Sequence, residues 1–105
     1  MIFTIIIHMK VPPEKRKELT QTISSLTGSI KSENGCRRCE FFQNLSDENI
    51  LCLLEEWDTM ANLEIHLKSE NLMVLRGAMN LLVKPWEMLF FSSFNQSAIS
   101  QKDLL

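Results

Sequence analysis

The side chains best equipped for chemistry in this chain lie between Glu55 and His66. Histidine accepts a proton near neutral pH, and an indole offers a stacking surface with one N–H donor. His66 is therefore the candidate proton acceptor, and Trp57 the candidate wall of a pocket for a flat ligand. Both have plainer readings: a tryptophan ending a strand is commonly core, and a histidine near a helix end commonly a cap or surface residue. Glu55 is the candidate carboxylate, because strand alternation puts it on one face with Leu51, Leu53 and Trp57. Buried there it would be a usable base. The favoured alternative for it is an ordinary ion pair with Arg37 or Arg38 on the neighbouring strand. Asn62, one helical turn before His66, could orient that ring or a substrate oxygen, although a surface amide is its simpler role.

Cys36-Arg37-Arg38-Cys39 is a CxxC. As a zinc half-site it lacks a second pair, since Cys52, His8 and His66 do not supply metal-finger spacing. A redox CxxC opens a helix, whose dipole favours the thiolate. This one opens a strand, where alternation puts the two sulfurs on opposite sheet faces or nearly so. No metal, flavin or haem site is expected from any ligand spacing.

The elements that position these residues follow from periodicity. Ile2 to Met9 is short and β-branched, a strand with both faces largely buried. Pro12-Pro13 stops it and opens a helix, with Glu14 at the positive end of the dipole. Leu19, Ile23, Leu26 and Ile30 form one apolar stripe, and Asn34-Gly35 closes that helix. Cys36 to Asn44 and Ile50 to Trp57 are strands joined by the polar turn Leu45 to Asn49, hence a hairpin. Asp58 or Thr59 caps a short helix to about Lys68, Ser69 to Asn71 interrupts it, and a further helix carries Leu72, Leu75, Met79 and Leu82. Pro85 ends that helix. Trp86 to Phe94 alternates as a last strand.

The order is β-α-β-β-α-β with the second helix split, an α+β ferredoxin-like domain with a four-stranded antiparallel sheet. Residues 1–94 form the domain and 95–105 a polar tail. The helices can cover only one sheet face, yet the third strand is apolar on both: Leu51 and Leu53 on one side, Ile50, Cys52 and Leu54 on the other. The simplest cover for the second face is another copy of the chain, which makes a homodimer the expected partner.

Composition narrows the function classes. The chain has 105 residues, 45% hydrophobic and 23% charged, with a formal net charge of -2. That balance offers no broad electrostatic surface for nucleic acid, and Lys15, Arg16 and Lys17 are flanked by Glu14 and Glu18 as on a solvated helix face. Met1 to Ile7 has no basic leader, and no window approaches the roughly 20 apolar residues of a membrane span. A cytoplasmic location with thiol cysteines is expected.

Gly35-Cys36, Glu40-Phe41, Glu55-Glu56-Trp57 and Glu64-Ile65-His66-Leu67 together resemble the antibiotic-biosynthesis monooxygenase family. Its members typically show Gly-Cys, an aromatic-Glu-Phe strand, a Glu-x-Trp strand end and a helix ending in His-Leu, in this order and spacing. The resemblance runs from the first strand to Phe94. It implies a dimeric α+β barrel with a pocket between sheet and helices in each subunit. It also implies oxidation of quinols or polycyclic phenols by molecular oxygen without metal or flavin, with Trp57 and His66 carried over as functional residues. Other members degrade haem, and many have no established activity.

The chain departs from that pattern at three places. The second histidine that many members carry after the first is replaced by Ser69-Glu70-Asn71, and the aromatic before Glu40 is Cys39. There is no tyrosine, which excludes a tyrosine-dependent version of the chemistry. The haem-degrading branch uses an asparagine on its first strand, and Ile2 to Met9 has none. The expected function is thus a cofactor-independent monooxygenase of a small planar phenol or quinol. His66 and Trp57 would be its catalytic pair, and Glu55 and Asn62 its substrate-binding residues. The alternatives are a dimeric module that binds a small apolar ligand without turnover, and a dimeric scaffold.

Overall fold

A computed structural model describes residues 1–80, 82 and 86–93 of the chain. The β-branched N-terminal run forms β1 (Ile2–Lys10). Pro13–Lys15 make one 3-10 turn before α1 (Arg16–Lys31), so the prolines precede the α-helix rather than opening it. A tight turn leads to β2 (Cys36–Gln43), and β3 (Ile50–Trp57) returns antiparallel to it. Asn44 Oδ1 closes the hairpin loop by accepting the backbone N–H groups of Ser46 and Asp47 at 2.7 and 3.0 Å. Thr59 caps α2 (Met60–Leu67) and Ser69 caps α3 (Glu70–Met79), each hydroxyl accepting one otherwise orphaned backbone N–H. The break in the second helix is therefore shorter than expected, with Glu70 and Asn71 already helical. The last strand is β4 (Glu87–Ser93). Phe94 and the 95–105 tail lie outside the described residues.

The sheet order is β2-β3-β1-β4 with every pair antiparallel, the ferredoxin-like split βαβ arrangement. Residues facing the helices are sealed: Ile5, Ile7 and Met9 on β1 and Leu51, Leu53, Glu55 and Trp57 on β3. Against them pack Leu19, Ile23 and Ile30 of α1, Leu63 of α2, and Leu72, Leu75 and Met79 of α3. Each fully buried aliphatic side chain stabilises the fold by about 1.5–3 kcal/mol relative to exposure. The opposite face carries Ile6, Cys52 and Leu54, half-buried, with Phe42, Leu89 and Phe91 exposed.

The strand register corrects one expectation. Cys36 pairs with Trp57, Arg38 with Glu56 and Cys39 with Glu55, so the ladder slips by one residue between Cys36 and Arg38. This bulge absorbs Arg37 and returns Cys39 to the face of Cys36. Both cysteines of the CxxC face the helices instead of opposite sides of the sheet. Among the described residues no helix is long and apolar enough to cross a membrane.

Candidate functional site

Glu55 and Trp57 are two residues apart on β3, so the pleat sends both side chains to the same buried side. His66 projects onto them from the last turn of α2. The Trp57 and His66 rings stack at 4.4 Å between centroids with 25° between planes. Trp57 Nε1 donates to Glu55 Oε1 at 3.0 Å, and His66 Nε2 lies 2.8 Å from the same oxygen. The imidazole approaches off the N–H axis, making this an ion contact more than a linear hydrogen bond. Glu55 Oε2 is buried and has no partner among the described residues.

The other imidazole nitrogen, Nδ1, faces Glu33, with both carboxylate oxygens at 3.0 Å. Glu33 belongs to the turn between α1 and β2. Its backbone N–H is bonded to Ile30 O at 3.0 Å, and its own carbonyl accepts from Cys36 N at 3.2 Å. Gly35 completes that turn at φ +85°, a left-handed conformation where only glycine is unstrained, and a Cβ there would strike Asp58 and Asn62. Asn71 of α3 donates to Glu33 Oε2 at 3.0 Å. Three segments thus converge on one histidine. Burial by itself works against the charged imidazole, but Glu55 and then Glu33 outweigh it, and the His66 pKa is raised above its ordinary value.

Three of the four residues singled out in the sequence come together: Glu55, Trp57 and His66. Glu55 does not pair with an arginine. Arg38 is on the opposite face, holding Glu40 at 2.8 Å and Glu56 at 3.4 Å, because the bulge puts Cys39 rather than an arginine across from Glu55. Asn62 stands apart from the cluster. Its amide donates to Asp58 Oδ1 at 2.9 Å, which holds the Asp58 carboxyl below its usual range. Glu33 and Asn71 are members that sequence reasoning missed. Asn71 sits in the segment where the family resemblance leads one to look for a second histidine, and that departure was the only signal available. Burial pushes the Cys36 thiol up to about 11 and the Cys39 thiol up to about 12, with the Glu55 charge adding to both. Among the described residues no cluster of three or more His, Cys, Asp or Glu has metal-binding geometry.

A pocket of about 200 Å³ is walled by Phe3, Phe90 and Phe91 of the sheet and Met60 and Leu63 of α2, and none of Glu33, Glu55, Trp57 and His66 lines it. The hydroxyl-bearing residues Thr4 and Ser92 are its polar members. Phe3 is the register partner of Trp57 on the adjacent strand, and Leu63 lies one turn before His66. The pocket's size is below the roughly 300–1,000 Å³ of pockets for drug-sized ligands and suits a molecule of one or two rings.

Comparison with known proteins agrees with this architecture. A Bacillus subtilis protein named "Putative monooxygenase YcnE" is 32% identical over 59 residues, which are 56% of this chain and 62% of that protein. The chain thus spans under two thirds of that relative's length. A conserved protein from Methanosarcina mazei has a solved structure that superposes with a TM-score of 0.80 at 26% identity, covering 87% of this chain and 91% of the other. The structure of Rv0793 from Mycobacterium tuberculosis superposes at 0.84 with 18% identity, over 93% of this chain and all of the other, a likeness of fold. The sequence profile of the family described as antibiotic biosynthesis monooxygenase matches residues 2–73, well over half of the molecule. The chain belongs to the antibiotic biosynthesis monooxygenase family.

Proposed function

We propose that this chain is a homodimeric, cofactor-independent oxygenase that oxidises a small planar phenol or quinol with molecular oxygen. The observation that carries the reading is the buried, unpartnered Oε2 of Glu55, held in place by Trp57 and His66, with an aromatic pocket starting at Phe3, the β1 partner of Trp57. A buried acceptor without a donor calls for an occupant that brings one, and a phenol hydroxyl does. Family membership and the relative's name support the coarser statement, a monooxygenase-like or small-ligand-binding module.

In this reading the phenol lies against Phe3 and Phe90, a side-chain rearrangement opens the sealed Glu55 carboxylate to it, and the hydroxyl proton passes to Glu55. The phenolate then passes one electron to oxygen. Recombination forms a carbon–oxygen bond, and loss of water leaves a quinone, so that phenol plus O₂ gives quinone plus H₂O. Both oxygen atoms and all electrons come from the two substrates. His66 and Trp57 remain the proposed catalytic pair, but His66 works through Glu55 because both its nitrogens already face carboxylates. The dimer rests on the second sheet face, where Phe42, Leu89 and Phe91 are exposed.

Oxygen uptake with 1,4-naphthohydroquinone, corrected for its autoxidation, tests the proposal. Glu55→Gln is expected to lower turnover by roughly 10²–10⁴-fold, the usual effect of one proton-transfer group. Saturable quenching of tryptophan fluorescence by the same quinol, with no uptake above background, would replace the oxygenase by the ligand-binding module.

A further inference from the structure

A proton delivered to Glu55 has to leave before a second turnover, and the apolar core offers no exit. Glu55 and His66 side chains are 1% and 0% exposed, whereas that of Glu33 is 18% exposed, the one opening in the row to solvent. The three groups stand in contact: Glu55 Oε1 to His66 Nε2 at 2.8 Å, and His66 Nδ1 to the Glu33 carboxylate at 3.0 Å. Imidazole can take a proton on one nitrogen and release one from the other. A structural ion pair would need only one carboxylate. Here a carboxylate stands at each imidazole nitrogen, so that a proton taken up on one side can be released on the other.

We propose that Glu33 is the outer station of a proton relay, Glu55–His66–Glu33, that returns the substrate's proton to solvent. The inference rests on Glu55 acting as the base. Glu33 touches no substrate and is a positioning residue, acting through His66 and aimed by the Asn71 amide. In the relay the substrate O–H breaks and its proton goes to Glu55 Oε2. The carboxyl group turns about its last bond and hands the proton to Nε2 of the neutral, Nδ1-protonated imidazole, which becomes the imidazolium. The Nδ1 proton passes to Glu33, which releases it to water. No electron moves in any of these steps.

The charged and titratable groups around His66 are consistent with this direction. Glu33 comes from the α1–β2 turn and Glu55 from β3. The Cys36 and Cys39 thiols on β2 stay protonated, Lys31 stands at the end of α1, and α3 contributes only the neutral Asn71. The raised pKa of His66 favours the imidazolium that forms midway in the transfer.

The test is the exchange of the His66 ring N–H protons with solvent, read by NMR on the full chain without substrate. Glu33→Gln keeps the size and an acceptor oxygen but cannot carry a proton, and is expected to slow exchange by about 10²-fold, the lower end for such a group. Glu33→Asp is expected to restore most of it. Unchanged exchange in Glu33→Gln overturns the relay. Should that variant not fold, Asn71→Ala frees Glu33 from its amide and is expected to slow exchange by a smaller factor, with no change again overturning the relay. In oxygen uptake with 1,4-naphthohydroquinone, Glu33→Gln should lower kcat, leave KM unchanged and enlarge the solvent isotope effect. Unaltered kcat with slowed exchange would remove the relay from turnover. If the wild-type protein shows no uptake, the oxygenase reading fails, and the exchange measurement still decides the relay.

Discussion

Trp57 and His66 stack face to face, and each places a ring nitrogen within 3.0 Å of one and the same oxygen of Glu55. The indole supplies a neutral donor on a strand and the imidazole a titratable one on a helix. The carboxylate is thus oriented from two elements at once, and its second oxygen is left open.

The raised pKa of His66 sets a sign for the pH dependence of stability. Its folded value exceeds the unfolded value of about 6.5, so the folded protein binds the proton more tightly. The contribution is complete below about pH 6.5 and is lost as pH rises through the folded value. The melting temperature of wild type should therefore exceed that of His66→Gln most at about pH 6, and the gap should close towards pH 9. A gap constant over that range would mean that folding leaves the His66 pKa unshifted.

Removing Glu55 should be costly in proportion to what is left behind. Glu55→Ala strips the buried imidazolium of one partner and leaves the Trp57 N–H unpaired, an expected loss of about 3–5 kcal/mol. Glu55→Gln keeps an acceptor for Trp57 and should cost about 1–3 kcal/mol. Urea unfolding monitored by far-UV circular dichroism measures both. Equal losses would mean that the charge, which both variants remove, accounts for the whole effect and the Trp57 hydrogen bond for none of it.

The second sheet face predicts the oligomeric state. Sedimentation at micromolar concentration should show twice the mass of one chain, and Leu54→Arg, at the centre of that face, should give the single mass. A wild-type monomer would overturn the dimer, and a dimeric Leu54→Arg would move the interface elsewhere.

The cysteines should be poor nucleophiles. With the Cys36 thiol held at about 11, its alkylation rate at neutral pH should be low and rise roughly tenfold per pH unit until that value. Cys39, sealed against Glu55, should react only as fast as the protein unfolds. Rapid labelling of Cys39 in the folded state would contradict its burial. Iodoacetamide labelling followed by peptide mass spectrometry separates the sites.

Much of the frame was legible because it is periodic. The Ile50–Trp57 strand shows its two faces in alternating letters, and Thr59 announces the start of α2 by its capping chemistry. The family resemblance had already singled out Trp57 and His66, and strand alternation added Glu55. What the letters did not show is register. Nothing local signals that Arg37 bulges out, and on that single residue depends whether Glu55 meets an arginine or a cysteine. Glu33 was invisible for a different reason. It lies in a turn with no period, 33 positions from the histidine it contacts, so only the closed tertiary structure brings the two together.

The sheet order has a consequence for how the molecule folds. β1 lies between β3 and β4, and its residues pair with positions as distant as Ser93. The central ladder cannot zip from a local hairpin, because loop-closure entropy is spent before the pairing returns it. Only the β2–β3 hairpin is local, and it nucleates without completing the core. Folding should then be slow for a domain of this length, in milliseconds or longer, with the β2–β3 hairpin protected from hydrogen exchange before β1 docks.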